Sequence, residues 1–368
     1  MRKKVAVIGV TGFGLHHFVN LVKLADEKLL DLAAAVVRTP VKAAEQLETM
    51  RARGTRIYAS ADELFSAEAG KLDLVCIPVG IDAHETLTAS ALGAGMNVLL
   101  EKPAAGSTES VRRMIDAERA SGKFAAVAFQ HCYAPEIQFL KRLLLSGRLG
   151  AVIRSGVMVC WPRDDAYYQR NSWAAKREVR GVPVLDSPLN NACAHYLNLL
   201  LFLNGSAQYR CAMPRSVAGR VMRARPEIEM FDACDVDFAL DNGTSARVML
   251  AHCCSEKIDP EIRIVCENGI IVWRNNSDWS VTAADGARIA SGQAVHPGET
   301  MFRLIVKKLD YPETPAYTLE NALAHTVGVE MLDRMLPIEA ADAEYRDGIF
   351  RVPGLERRFI EKFAEVSK

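Results

Sequence analysis

Three groups of residues have the types and spacing that chemistry requires. The first is Glu101-Lys102-Pro103, which follows the apolar run Met96 to Leu100. A lysine at the carboxyl edge of a parallel sheet stands where open α/β folds bind their ligands. There it can lose solvation, titrate nearer neutrality and serve in proton transfer. A solvated lysine in a surface salt bridge is the alternative reading of the tripeptide alone. The second group runs from Asp186-Ser187-Pro188 to His195-Tyr196-Leu197-Asn198. Ser187 reads as a helix N-cap, Pro188 as the first helical residue and Asn204-Gly205 as the stop. On such a helix Asn191, His195 and Asn198 fall at i, i+4 and i+7, on one face of an otherwise apolar segment. Buried polar side chains need partners, so this stripe indicates a pocket wall. A core histidine bonded to a backbone carbonyl is the alternative.

The third group is Gly9-Val10-Thr11-Gly12-Phe13-Gly14, between an apolar strand and the first helix. The first glycine permits a tight turn, the last permits close helix–strand packing, and the helix N-terminus faces a pyrophosphate. Thr11 stands where the usual G-x-G-x-x-G fingerprint has its middle glycine, with Gly12 beside it. Dinucleotide sites that prefer NAD carry an acidic residue at the end of the second strand. Here that position reads Val37-Arg38-Thr39, and an arginine without a carboxylate suits a 2′-phosphate. Arg38 therefore tips the expected cofactor towards NADP over NAD, unless it is only a solvated strand end. Pro78, which stops the third apolar strand, and His84 complete the candidate cofactor set with Glu101 and Lys102.

Between these groups, Trp161-Pro162-Arg163 and Tyr167-Tyr168, then Asn171-Ser172-Trp173, concentrate aromatic rings around an arginine. Aromatic faces with hydrogen-bonding groups suit a sugar ring, so Arg163, Tyr168 and Trp173 join Asn191 as candidate substrate contacts. Packing at a domain interface would use the same residue types.

The elements that must position these residues fall into two textures. Up to about residue 128, continuous apolar runs (Val5–Ile8, Leu32–Val37, Leu72–Ile77, Met96–Leu100, Phe124–Phe129) alternate with helical patterns. Those helices are expected at about 15–25, 42–53, 83–94 and 108–121. Strands without polar alternation are covered on both faces, and strands separated by helices form βαβ units. This predicts a doubly wound parallel α/β Rossmann sheet. From 129 to 368, a helix over Pro135–Leu145 precedes a strand over Val152–Trp161. Turn signals at Asp241-Asn242-Gly243 and Asn268-Gly269 mark antiparallel hairpins, and a late helix is expected over Leu319–Met335. An α+β substrate-binding and oligomerisation domain with a large, mainly antiparallel open sheet is predicted there. A free sheet face is usually buried against something, so a homo-oligomer, dimer or tetramer, is expected.

Bulk properties exclude other classes. The 368 residues are 49% hydrophobic and 24% charged, with 45 basic and 45 acidic side chains and zero formal charge. A nucleic-acid or anionic-membrane partner normally leaves a basic excess. The apolar stretch around Leu197–Leu203 falls well short of the ~20 residues of a membrane span. The start of the chain lacks the pattern of a secretory signal. Nine cysteines without CxxC spacing indicate free thiols in a reducing, cytoplasmic setting and no metal site.

Taken together, these features resemble the glucose-fructose oxidoreductase / inositol dehydrogenase / MocA (Gfo/Idh/MocA) family over nearly the whole chain. The resemblance rests on the N-terminal turn, the strand ending in Glu-Lys-Pro, Ser146-Gly147-Arg148-Leu149-Gly150 and the segment carrying His195. It implies an NAD(P)-dependent oxidoreductase with Lys102 and His195 beside the nicotinamide, acting on a secondary alcohol or carbonyl of a sugar, polyol or similar small polar substrate. The family often has Asp four residues before the histidine; here that residue is Asn191, which cannot act as a base, and Asp186 lies five residues earlier still. His195 is then the expected acid/base, Lys102 polarises the substrate oxygen or shares its proton, and Asn191 orients the hydroxyl. Two rivals remain: an NAD-dependent glycoside hydrolase of the same fold, without net redox change, and a non-catalytic dinucleotide-binding protein.

Overall fold

The structure, a computed structural model, describes residues 2–367. The chain opens with β1 (Lys3–Ile8), α1 (Gly14–Asp26), β2 (Leu30–Val36), α2 (Ala44–Ala52), β3 (Arg56–Tyr58) and α3 (Ala61–Glu68). It continues with β4 (Leu74–Ile77), α4 (His84–Gly93), β5 (Asn97–Leu100), α5 (Thr108–Ser121) and β6 (Ala125–Val127). Then come α6 (Pro135–Leu145), β7 (Val152–Cys160), α7 (Asp165–Gln169), β8 (Glu178–Val179), β9 (Val182–Pro183) and α8 (Ala194–Asn204). A run of strands follows: β10 (Pro214–Arg223), β11 (Ala233–Leu240), β12 (Ser245–Ala251), β13 (Ile258–Cys266), β14 (Gly269–Arg274), β15 (Asp278–Ala283) and β16 (Arg288–Gln293). The chain ends with α9 (Gly298–Lys308), α10 (Leu319–Met335), β17 (Ile338–Ala340), β18 (Glu344–Arg346), β19 (Ile349–Arg351) and α11 (Leu355–Ala364).

These elements form two compact units. The first comprises the chain up to Ala105, Glu109–Tyr133 and Pro297–Leu323. Its sheet is wholly parallel, in the order β3-β2-β1-β4-β5-β6. Every residue of β4 is buried, as are the last four of β1. That double-faced burial is why those strands read as continuous apolar runs. The order reverses between β1 and β4, the switch point at which such sheets bind ligands. The short pair β3 and α3 carries too little apolar sequence to be expected. Ser60 caps α3 through Glu63 N–H, while the Glu63 carboxylate accepts from Ala59 N–H.

The return of Pro297–Leu323 to this unit lies outside a simple boundary at 128/129. Its helix α9, also unforeseen, packs on α1. Lys23 pairs with Glu299 at 2.6 Å, Arg303 with Glu27 at 2.7 Å, and Phe302 lies edge-on to His17 with ring centroids 4.9 Å apart.

The second unit comprises Gly106–Thr108, Ala134–His296 and the chain from Ala324. Its nine-stranded sheet runs β16-β15-β14-β13-β7-β12-β11-β10-β17. Only β12/β7 and β10/β17 pair in parallel, so the sheet is open and mainly antiparallel. The β11/β12 hairpin turns at Asn242-Gly243, with Gly243 at φ +84°. The β13/β14 hairpin differs from expectation: Cys266 pairs with Gly269, leaving Glu267-Asn268 as the loop. Gly269 is required by close approach instead, because a Cβ there would lie 2.4 Å from the Thr282 carbonyl oxygen of β15.

Both faces of β7 are covered within the chain. Ser155 accepts a hydrogen bond from Asn204 of α8 at 2.9 Å. The next residue, Gly156, faces the other way, and a Cβ there would come 3.3 Å from the Phe363 ring of α11. Met158, Cys160, Met249, Cys253 and Cys254 form a core with Leu355, Phe359 and Phe363 of that helix. The sheet face expected to be free is therefore partly buried by the chain's own C-terminus. All nine cysteines are buried, and none forms a disulfide among the described residues. Among the described residues no helix is long and apolar enough to cross a membrane.

Candidate active site

In the first unit the glycine-rich turn joins β1 to α1. Gly9 has φ +94° and donates its N–H to Val36 O at 3.0 Å; Gly12 has φ +58°. A Cβ on Gly14 would lie 2.5 Å from the Gly9 carbonyl oxygen, so only glycine lets α1 start this close to the strand. Pro78 flanks the same point, 3.6 Å from that Cβ position. Thr11, Gly12 and Phe13 are exposed. No side chain caps α1, and its first turn holds no acidic residue. The positive end of its dipole is thus left for an anion, which fits a dinucleotide pyrophosphate held by the Gly9–Gly14 turn. Arg38, just past β2, is exposed, and no ion pair or hydrogen bond holds it among the described residues.

Beside this turn, at the end of β5, Glu101 is buried. Its Oε1 lies 2.8 Å from His17 Nε2, and its Oε2 accepts the Lys102 backbone N–H at 3.0 Å. Burial alone would raise the Glu101 pKa; hydrogen bonding and charge interaction with His17, the nearby Lys102 charge and the Lys102 N–H together hold it below the usual carboxylate value. Glu101 therefore anchors the lysine backbone. The Lys102 ammonium lies 5.9 Å from the centroid of Phe13, over the ring. His17, missing from the sequence-based set, was signalled by its phase: with Gly14, Phe18, Leu21 and Leu24 it forms the buried face of α1.

His84, expected at the cofactor, is fully buried instead. Its Nδ1 lies 2.9 Å from Pro103 O and 3.2 Å from Ala104 O, and its Nε2 lies 3.1 Å from Val79 O. Burial pulls its pKa below the ordinary histidine value, against those three carbonyls and the Glu101 charge. These contacts pin the chain after Lys102 to the turn after β4.

In the second unit the helix expected from Pro188 is interrupted. Pro188–Asn190 is one 3₁₀ turn, Asn191 leaves helical geometry at φ −136° and ψ −93°, and α8 starts only at Ala194. The i, i+4 relation between Asn191 and His195 therefore does not hold; only His195 and Asn198 share the helix. The interruption brings in a residue that the spacing had set aside. Asn191 Nδ2 donates to Asp186 Oδ1 at 2.7 Å. The other Asp186 oxygen accepts Ala175 N–H at 2.5 Å and pairs with Arg170 at 3.2 Å. Burial raises the Asp186 pKa, opposed by Arg170 and by its hydrogen-bond donors. His195 is half-buried, with its ring edge-on to Tyr196.

The aromatic cluster divides. Arg163 lies over Trp161 and Tyr167, at 5.4 and 4.9 Å from their ring centroids. Arg170 lies over Tyr167 and Trp173, at 3.9 and 5.1 Å. Arg163, Trp173 and Asn191 are thus joined through Tyr167, Arg170 and Asp186. Tyr168 instead stacks on Arg225, 4.6 Å from its guanidinium, and lines a separate cavity with Glu227 and Glu229.

The chain's first portion, residues 3–129, matches the GFO/IDH/MocA oxidoreductase family with its NAD-binding Rossmann fold, and residues 137–272 match that family's C-terminal domain. An inositol 2-dehydrogenase of Klebsiella pneumoniae (strain 342) is 25% identical over 275 residues, 73% of each chain. Among solved structures, the WlbA dehydrogenase of Bordetella pertussis in complex with NADH and UDP-GlcNAcA superposes with a TM-score of 0.73 at 18% identity, covering 91% of this chain and 96% of that one. The aldose-aldose oxidoreductase of Caulobacter crescentus, complexed with glycerol, has a TM-score of 0.73 at 18% identity, covering 91% and 97%. At those identities the likeness is one of fold. With both domains matched, the chain belongs to the Gfo/Idh/MocA oxidoreductase family and is an NAD(P)-dependent enzyme of the dehydrogenase/reductase class.

Proposed function

We propose that this enzyme transfers a hydride between a nicotinamide dinucleotide and a secondary alcohol or carbonyl of a sugar, polyol or similar polar molecule. The observation that carries the reading is the setting of Lys102. Its ammonium lies over Phe13 of the dinucleotide turn, and Glu101, itself bonded to His17, holds its backbone. When bound, NAD(P) supplies the hydride acceptor or donor. His195 takes the hydroxyl proton as carbon is oxidised, and returns it in the reverse direction. Lys102 polarises the substrate oxygen. Asn191, held by Asp186, orients the hydroxyl with its amide oxygen. The inositol 2-dehydrogenase relatives support a polyol or sugar substrate.

Screening polyols and sugars while following NAD(P)H absorbance tests this. Net cofactor reduction is expected; leaving-group release without it would point to a glycosidase. His195→Ala should lower turnover by ~10²–10⁴ with dinucleotide binding retained, and near-wild-type turnover would remove His195 from the mechanism. The exposed Arg38, held by no ion pair or hydrogen bond among the described residues, supports NADP as the preferred cofactor. Binding of NAD about tenfold tighter than NADP, ~1.4 kcal/mol, would overturn that preference. Nine buried thiols with no disulfide among the described residues support a reducing compartment. A homo-oligomer is proposed through the part of the large sheet that α11 leaves uncovered, and light scattering would measure it.

A further inference from the structure

Charge is unevenly balanced around Trp161 in the second unit. Arg163 is half-buried, and its backbone N–H donates to His252 O at 3.1 Å. Its guanidinium stacks over Trp161 and Tyr167 but makes no ion pair or hydrogen bond among the described residues; its Nε is buried without an acceptor. The neighbouring cations are already matched. Arg170 pairs with Asp186 at 3.2 Å, and Lys257 pairs with Asp259 at 2.9 Å. The Asp259 Oδ1 also accepts the Trp161 indole N–H at 2.9 Å. His252, whose ring lies 5.5 Å from Tyr167, is pushed down to about 3 by burial and then by the Arg163 charge, so it stays neutral. Arg163 is one uncompensated positive charge.

That charge faces a space of ligand size. Trp161, Pro162, Arg163 and Lys257 line a cavity of about 350 Å³, within the range of small-molecule sites. A partly desolvated charge is costly without a counter-charge. The planar guanidinium fork matches a carboxylate, and its contacts with two rings hold it in place before a ligand arrives. One unmatched cation balances one negative charge, whereas a phosphate dianion would ask for a second.

We propose that the substrate is a hydroxylated carboxylate, a sugar acid or hydroxy acid, whose carboxylate pairs with Arg163. This rests on the reading that the second unit binds the substrate of the proposed redox reaction, and it narrows the substrate class. The neutral rim of Trp161 and Pro162 would then take the carbon skeleton.

Equilibrium binding to the full-length protein with dinucleotide present tests the proposal without requiring turnover. The probes are D-glucuronate, D-gluconate and L-tartrate against D-glucose and myo-inositol, with D-glucose 6-phosphate as the phosphate arm. At least one carboxylate should bind about tenfold or more tightly than the neutral probes. Arg163→Gln should collapse that acid-to-neutral ratio, while Arg163→Lys keeps part of it. Unchanged dinucleotide affinity would show that both variants are folded. The proposal is overturned if no carboxylate outbinds the neutral probes, if the phosphate ester binds tightest, or if Arg163→Gln leaves the ratio unchanged. Reduction of NAD(P) by neutral polyols without acid preference would sink this inference alone. Acid binding with no redox activity would instead sink the proposed reaction.

Discussion

The contact between His17 and Glu101 offers the sharpest test of how the first unit positions Lys102. Replacing His17 with alanine leaves the Glu101 carboxylate buried, with only the Lys102 N–H still donating to it among the contacts described above. Removing one partner of a buried pair costs about 3–5 kcal/mol, because the remaining charge is desolvated without compensation. For a unit of this size, that corresponds to a fall of about 6–20 °C in its unfolding midpoint. The pH dependence identifies the cause. In the native protein the Glu101 pKa is lowered, so the group contributes stability above the ordinary carboxylate range and loses it as pH falls through its folded value. In the variant, burial is no longer offset by its largest opponent, and the folded pKa rises above the unfolded one. The variant therefore loses stability as pH climbs, by up to about 1.4 kcal/mol per unit between the two values. The gap between the two proteins should widen as pH rises through and above the ordinary carboxylate range and narrow as Glu101 takes up a proton. Thermal unfolding followed by circular dichroism across that pH range measures it. A loss below about 1 kcal/mol, or a gap that does not change with pH, would refute the assignment of Glu101 as a buried carboxylate held by His17.

Two further substitutions probe the neighbouring geometry. Gly14→Ala places a Cβ 2.5 Å from the Gly9 carbonyl oxygen, a backbone atom that cannot swing aside. α1 must back away at a cost of about 1–3 kcal/mol, and NAD(P) affinity measured by calorimetry should fall about tenfold or more; wild-type affinity would mean that close packing is not what the turn provides. Asn191→Asp sets a second carboxyl against Asp186, at a contact now 2.7 Å long whose acceptor already has its pKa raised by burial. The two would share a proton, with the upper folded pKa above the unfolded value. Stability present below the ordinary carboxylate range should then fall as pH rises through that range and above it, by up to ~1.4 kcal/mol per unit, and unfolding midpoints parallel to wild type over that range would rule this out.

What could be read in advance, and what could not, follows from where the folding signal resides. Parallel strands buried on both faces write themselves as apolar runs, and α5, α6 and α10 lie where the sequence places them because caps, proline and helical periodicity agree. β3 and α3 escape notice because three and eight residues hold too few periods to register. α9 returns to the first unit through tertiary contacts that no local pattern announces. The failure at Asn191 is more instructive. Its spacing to His195 suits a helix, but Asn190 Nδ2 donates to Val184 O at 2.8 Å and Asn191 Nδ2 donates to Asp186. Asparagine side chains that bond upstream compete with the helical ladder, so two in succession mark a break rather than the second turn of a helix. That break is what joins Asn191 to Asp186, although no regular spacing relates them. His17 was legible in principle: a histidine in phase with Gly14 on an apolar helix face has to find a buried partner, and the acidic residue at the end of β5 is that partner. A polar residue on an apolar stripe therefore identifies a site more reliably through the partner it requires than through the interval separating it from the next polar residue.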